Sequence, residues 1–492
     1  MADLVQHHLL SLIIFLPLLG MVMLAFVKSL SAGRWIALGA TLADLLLALV
    51  LWGRFDRNGV GMQFVERVEW MPTFNIHYAL GVDGISLLMV LLTTLLSPLC
   101  VLGSWTSIRE RLNTFLMLIL LVEGAMLVVF MALDLFLFFM LWETTMIPMY
   151  FLIALWGGPR RIPAGIKFVI YSILGSLFLL IGILGLYLEG GHSFDMLALT
   201  TQSYSERAQF WIFLALFLAF AIKLPMFPFH TWLPDAHAEA PTAGSVILAG
   251  VLLKMGGYGF LRLCLPMLPD ALVTFTPVVL WLSIVAILYG GAMALAQSDV
   301  KRLIAYSSIS HMGFVTLGIF GFNQQGIEGA VLQMFNHGIT TGALFLAVGF
   351  LYDRTHKRMI DDYGGLHKPM PRFVTLFLIF SLASFGLPGT NNFTSEFLIL
   401  VGTSLKSFPQ VLLAIGGILL AASYMLWMMQ RVALGPLTHE SQASLPDLTP
   451  REAVTLVPLV ILVLWIGLYP QPFFHVLDAS VTHLVQQLQA PP

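Results

Sequence analysis

Charge is what this sequence has least of. Asp, Glu, Lys and Arg make up 10% of its 492 residues, against about 25% in an ordinary soluble domain. The deficit runs the whole length, which excludes a soluble globule carrying one anchor. Cysteine is nearly absent. Cys100 and Cys264 lie within or at the edge of apolar runs, too few and too isolated for a disulfide scaffold or a thiolate metal cluster. No dinucleotide-type glycine fingerprint is present. The glycines of KMGGYG (254–259) fall inside an apolar run, where Gly serves close helix packing. The first apolar run lacks a basic leader and a small-residue cleavage site, so residues 5–26 read as a retained helix.

What the sequence has in excess is hydrocarbon, at 58% hydrophobic residues. A membrane-spanning helix needs about 20 largely apolar residues, and about 14 stretches qualify. They are 5–26, 33–52, 83–104, 112–131, 134–156, 165–188, 208–234, 241–263, 272–295, 302–321, 326–350, 373–402, 409–430 and 452–469. The reading is an all-α polytopic membrane protein, one integral unit over residues 1–492. Its largest polar stretches are 53–82, 351–372 and 431–451.

With an even number of spans both termini lie on one side. Of the 24 Lys and Arg, sixteen fall in connections opposite the termini and six on the termini side. The positive-inside rule then puts the termini outside the cytoplasm. Lys167, near a helix end, reads as a snorkelling side chain. The two cations left over, Lys223 and Lys254, fall within spans.

A charge at the bilayer centre costs about 2.5–3.5 kcal/mol on insertion scales, and such residues face the protein interior and mark function. The spans carry a series of them: Glu123, Glu143 in FFMLWETTMIPMY, Lys223, Lys254, His311 in SSISHMGF, His337 in MFNHGITTGALF, and Glu396 in FGLPGTNNFTSEFLIL. A single buried His is commonly a hydrogen-bonded core residue, and Glu123 suits a structural partner. The series as a whole suits a proton relay: a buried Lys–Glu pair changes protonation when its partner moves, and imidazoles pass the proton on. Carboxylates also bind Na⁺, so this chemistry leaves the ion open.

Two spans are interrupted. Pro225 and Pro228 break the seventh, and Gly386-Leu387-Pro388-Gly389 breaks the twelfth. Broken backbone at membrane depth persists only inside protein or along a wet cavity, and paired interruptions point to a transporter's ion site. Setting Leu224-Pro225 on Leu387-Pro388 brings Thr231 onto Thr394, and Lys167 onto Gln333 brings Tyr171 near His337. That implies two inverted five-helix repeats, spans 4–8 (about 112–263) and 9–13 (about 272–430), with discontinuous spans 7 and 12. His230, Asp235, His237 and Glu239 lack compact ligand spacing. They read as the cap of the broken helix, and no metal is assigned.

The segments AIKLPMFPFHTWLPDAHAEAPTAGSVILAGVLLKMGGYG (221–259), LWETTMIPMYFLI (141–153), SDVKRLIAYSSISHMG (298–313) and GVDGISLL (81–88) carry a family resemblance. Over nearly the whole chain the sequence resembles the antiporter-like chain M family of bacterial NADH–quinone oxidoreductase, the chain 4 family of respiratory complex I. Glu396 is similar to chain M, where sister chains L and N typically carry Lys. The resemblance implies a proton-translocating subunit of an inner-membrane complex that oxidises NADH and reduces quinone. It implies Glu143 and Lys223 as a modulating pair, Lys254 as central relay, His311 and His337 on the hydrophilic axis, and Glu396 as terminal carboxylate. NADH, FMN, Fe–S clusters and quinone are then expected in partner subunits, with chains L and N as neighbours and no nucleic acid. The amphipathic 474–489 segment is expected either to clasp a neighbour or to trail as a solvated tail.

Other functions remain open on sequence chemistry: a subunit of a multisubunit cation/proton antiporter or membrane-bound hydrogenase complex, or a membrane scaffold. Glu396 and the helix around Glu143 argue against the first. The buried charges argue against the second.

Overall fold

The structure is a computed structural model that describes residues 8–438 and 440–489. Residues 5–7 of the first expected span lie outside the described residues. Among the described residues, eleven helices are long and apolar enough to cross a membrane. They are α1 (Leu9–Phe26), α2 (Leu30–Arg54), α3 (Gly84–Gly103), α4 (Leu112–Met131), α5 (Leu135–Trp156), α6 (Arg161–Glu189), α9 (Thr242–Met267), α10 (Pro269–Leu295), α12 (Gln324–Thr355), α15 (Phe408–Leu434) and α16 (Pro450–Leu468). The remaining major helices are α7 (Glu206–Lys223), α8 (Trp232–Glu239), α11 (Val300–Ile319), α13 (Pro371–Ser384), α14 (Asn391–Ser404) and α17 (Gln471–Gln489). The chain is thus a multi-pass helical membrane protein.

Which helices face lipid is visible in their burial. On α6, Ile162, Ile166, Ile170, Ile173, Leu177 and Ile181 form an exposed apolar stripe at helical spacing. At the opposite extreme stands α12, buried along its whole spanning window. A helix that never meets lipid can carry polar groups, and α12 carries Gln333, Asn336, His337, Thr340 and Thr341, all buried.

One small β element joins the expected helical fold. The polar 53–82 stretch forms an antiparallel hairpin of β1 (Gln63–Met71) and β2 (Ile76–Val82). Asn75 takes the left-handed conformation that its turn demands. The hairpin also finishes a helix: α1 has no side-chain cap of its own. Glu66 of β1 accepts from the Leu10 N–H at 2.8 Å instead. A charged strand serving a helix terminus leaves no apolar signature, which is why the pattern of the sequence does not show it.

The expected stretches of α6 and α12 also prove short by several residues at their ends. Lys167 therefore lies inside α6, not at its end. Its ammonium group does not snorkel but pairs with Asp235 at 2.8 Å.

The C-terminal segment is not a solvated tail. Phe473, Val476, Leu477, Val481 and Leu484 of α17 are buried, and the helix packs against α3 and α12 of its own chain. The Gly84 N–H donates to Ser480 Oγ at 2.9 Å. A β-carbon at Gly84 would run into the Val476 carbonyl. Gly84→Ala is therefore expected to lift α17 off α3, read as faster proteolysis after residue 470. Unchanged protection would disprove the tight seat.

Candidate functional site

The first break follows from its prolines. Pro225 cannot donate to the Ala221 carbonyl, and the Met226 N–H takes that carbonyl instead, at 2.8 Å. The Ile222 carbonyl accepts from the Trp232 indole at 3.0 Å. Lys223 is left as the last residue of α7, buried at 6% exposure. Gly256 of α9 then closes on the turn: a β-carbon there would lie 2.9 Å from both the Leu224 N and the Phe220 carbonyl. The KMGGYG glycines are packing residues.

Lys223 has the Trp142 ring as a neighbour, with its ammonium 5.1 Å from the ring centroid. A cation over an indole face gains about 0.5–2 kcal/mol. Glu143 follows Trp142, and its field reaches Lys223, though the two form no ion pair within hydrogen-bonding reach among the described residues. The helix is loosened here. Pro148 withdraws the donor that the Thr144 carbonyl would use, and α5 is interrupted at Thr145. One oxygen of Glu143 is buried without a hydrogen-bond partner among the described residues.

Lys254 belongs to a different arrangement. It follows a π-helical turn, Leu248–Leu252, a local widening that recurs at functional sites. Its ammonium donates to the Ala249 carbonyl and lies 2.7 Å from His337 Nδ1. The His337 ring stands 5.6 Å from that of His311, centroid to centroid. His311 Nδ1 lies 2.9 Å from Glu396 Oε1. Each imidazole thus commits Nδ1, while both Nε2 atoms are buried without partners among the described residues. A group with one nitrogen engaged and the other open can take a proton on one side and release it on the other.

Glu396 is held by its own shell. Gln333 Nε2 donates to Glu396 Oε1 at 2.9 Å. Ser395 Oγ donates to Gln333 Oε1 at 2.5 Å, and Asn336 Nδ2 donates to Ser395 Oγ at 3.0 Å. The break beside it needs glycine twice. Gly386 and Gly389 have φ of +75° and +91°, a region that only Gly enters at no steric cost. A β-carbon on Gly386 would also sit 3.1 Å from Glu396 Oε2. Gly386→Ala is expected to cost about 1–2 kcal/mol from φ alone and to displace the carboxylate. A lowered unfolding temperature of the purified complex would show it, and an unchanged one would contradict the strain.

The sequence-derived residues therefore fall into three groups. Lys254 with His337, and His311 with Glu396, form two hydrogen-bonded pairs that the contact of the two imidazole rings joins into one string across α9, α12, α11 and α14. Lys223 and Glu143 sit together on α7 and α5. Glu123 lies apart on α4, beside Asp44 of α2. Asp44 is not among the residues the sequence singles out above, although a lone acid midway through an apolar run is the signal that picked out Glu123. Gln333, Asn336 and Ser395 were missed as well. On α12 the polar residues at 333, 336, 337 and 340 repeat at helical spacing, which marks a polar face.

The cluster after the first break is engaged by cations. Asp235 pairs with Lys167 and Arg302, each at 2.8 Å. Glu239 accepts from the Arg160 N–H at 2.9 Å and faces Arg358 at 3.3 Å. Arg358 also meets Asp299 at 2.9 Å. These pairs tie α8 to α6 and α11 around the break. His237 stacks on Phe345 with centroids 4.8 Å apart.

A family model described as "NADH:quinone oxidoreductase/Mrp antiporter, TM" matches residues 132–421, which hold every residue of the string and both breaks. The NADH-quinone oxidoreductase subunit M of Rhodobacter capsulatus is 46% identical over 99% of this chain and 98% of its own length. The chain belongs to the subunit M/chain 4 family. The NADH-ubiquinone oxidoreductase chain 4 of Arabidopsis thaliana is another family relative, 45% identical over 97% of each chain. In a solved respiratory complex I from Thermus thermophilus, one chain superposes with a TM-score of 0.90 at 32% identity, covering 97% of this chain and 99% of its own. A chain of an archaeal membrane-bound sulfane sulfur reductase shares the fold, with a TM-score of 0.85 at 24% identity. The fold is therefore shared with a complex of another name.

Proposed function

We propose that this chain is a proton-translocating membrane subunit of an NADH:quinone oxidoreductase, working without a redox centre of its own. The observation that carries the mechanism is the string Lys254–His337–His311–Glu396. It is buried throughout, spans four helices through two hydrogen-bonded pairs and one ring contact, and ends on a carboxylate at a broken helix. A proton held on Lys254 is within hydrogen-bond reach of His337 Nδ1. From His311 Nδ1 it is within reach of Glu396. Lys223 and Glu143, one turn of packing away through Gly256 and Leu224, set the charge state of the entrance. Lys223, Lys254, His311, His337 and Glu396 carry protons, and Glu143 modulates. Glu123 belongs to a separate site.

The reading has fourteen spans: the eleven long helices, α11, and two broken ones, α7 with α8 and α13 with α14. Two inverted repeats, about 112–263 and 272–430, are supported by packing. In the first, α6 contacts both halves of the broken span. In the second, α12 contacts both halves of its counterpart. The charge asymmetry of the connections favours termini on the non-cytoplasmic face of an inner or plasma membrane. NADH, FMN, Fe–S clusters and quinone are assigned to partner subunits, and the flanking neighbours to antiporter-like chains L and N.

The test uses the assembled complex in proteoliposomes, with this chain carrying Glu396→Gln. The amide can still bond His311 and Gln333 but cannot accept a proton. NADH-oxidising subunits are expected to copurify, and protons moved per NADH oxidised are expected to fall. A chain that does not copurify with them, or a ratio unchanged in the variant, would refute the assignment.

A further inference from the structure

Two acids lie in the apolar bundle of α1–α4, outside the string. Asp44 is midway along α2 and Glu123 midway along α4, and both are completely buried, at 0% exposure. Their side chains are in hydrogen-bonding contact with each other. Apart from the Ser97 hydroxyl of α3, no donor group meets either carboxyl among the described residues. An ionised carboxylate only accepts hydrogen bonds. A contact between two of them holds together only if one brings a proton. Ser97 has one hydroxyl proton for two acceptors, Glu123 and the Thr93 carbonyl at 2.9 Å, so it cannot also join two ionised carboxylates to each other.

Among the described residues no cation pairs with either acid to replace that proton. Within their spans α1, α3 and α4 carry no Lys, Arg or His. On α2, Arg34 and Arg54 are ten residues to either side, about 15 Å along the helix axis. Behind α4, Lys254 of α9 and Glu143 of α5 form no ion pair with either acid among the described residues. Cys100 of α3 also feels the field of Glu123. A hard metal cation takes about six or more oxygens, and this pocket offers two carboxyls and one serine. Two carboxylates in contact cannot both ionise, as in acid dyads generally.

We propose that Asp44 and Glu123 form a carboxyl pair sharing one proton, a protonation site between α2 and α4 that stands apart from the Lys254–Glu396 string. The proton closes the contact: one carboxyl donates its O–H and the other accepts. Glu123 therefore has Asp44 as its partner, not the histidines.

The test is infrared spectroscopy of the assembled complex at neutral pH, comparing the parent with Asp44→Asn and Glu123→Gln. Each amide variant is expected to lose one protonated-carboxyl C=O band, because the amide N–H supplies the bond to a remaining carboxylate. The exchanged pair, Asp44→Glu with Glu123→Asp, is expected to keep a band. Where an amide variant does not assemble, the exchanged pair and ¹³C-aspartate labelling of the parent carry the test through the isotope shift of the same band. Bands unchanged in both amide variants, no labelled protonated carboxyl in the parent, or a parent band displaced by added Na⁺ would each overturn the shared proton.

Discussion

Lys254→Met should leave the complex assembled and remove proton transport through this chain. Methionine is close to lysine in length and fills the same space, so packing around α9 is kept. The substitution leaves the Ala249 carbonyl and His337 Nδ1 without the ammonium that both face. An unmet buried polar group costs about 1–3 kcal/mol. Against that, the buried ammonium itself is lost, and burying an ion costs several kcal/mol. The two effects oppose each other, and stability changes little. Transport has no such compensation, because a positioned proton donor or acceptor is worth about 10²–10⁴-fold in a transfer step. Lys254→Arg separates charge from chemistry. A guanidinium keeps the positive charge but does not release its proton in proteins. If Lys254 is a carrier, the arginine variant is expected to fail as fully as the methionine one. The readout is protons moved per NADH oxidised in proteoliposomes. A normal ratio in the arginine variant would sink the carrier role and leave Lys254 a fixed charge.

Much of this architecture is legible in the sequence, for one physical reason. Lipid tolerates so little polarity that each exception is visible as a lone letter in an apolar run. That logic locates Lys223 at the first break and His311, His337 and Glu396 as one series. It also finds both breaks, since Pro225 and Gly386 have few roles inside a spanning helix. It does not find what depends on partners remote in sequence. Glu66 of the β1–β2 hairpin caps the bare start of α1, and a polar run alone does not announce that. Lys167 looks like a snorkelling side chain in the sequence because its partner, Asp235, lies 68 positions away. The amphipathic face of α17 is evident in its sequence, but the residue it docks on, Gly84, is not. Nor does the series reveal its division. A string of buried charges along a chain has no distances, so Glu123 stands beside the relay in sequence when its contact is Asp44.

Glu143→Gln and Lys223→Ala should each abolish most of the transport coupled to NADH oxidation, and the double variant should lose no more than the worse single one. Lys223 ends a broken helix, with its ammonium over Trp142 and Glu143 as the carboxylate whose field reaches it. A pair 4 Å apart attracts by about 4 kcal/mol in a partly polarisable environment. These two groups are farther apart than a direct ion pair, so their attraction is smaller and can be altered by modest motion of α5. The helix interruption at Thr145, beside Pro148, allows such motion. Glu143→Gln keeps the shape and removes the charge, which takes away the main anionic support for a charged Lys223. Lys223→Ala removes the carrier and leaves the Glu143 carboxylate without its cation. If both act through one shared charge state, their effects are not additive, and contacting residues show coupling of about 0.5–3 kcal/mol. Independent roles predict the opposite: the fold-losses multiply in the double variant. The comparison requires equal assembly in all three variants, checked by copurification with the NADH-oxidising subunits. Normal proton transport in either single variant would remove that residue from the entrance. Multiplying losses would leave both residues in place but end the idea that Glu143 works through Lys223.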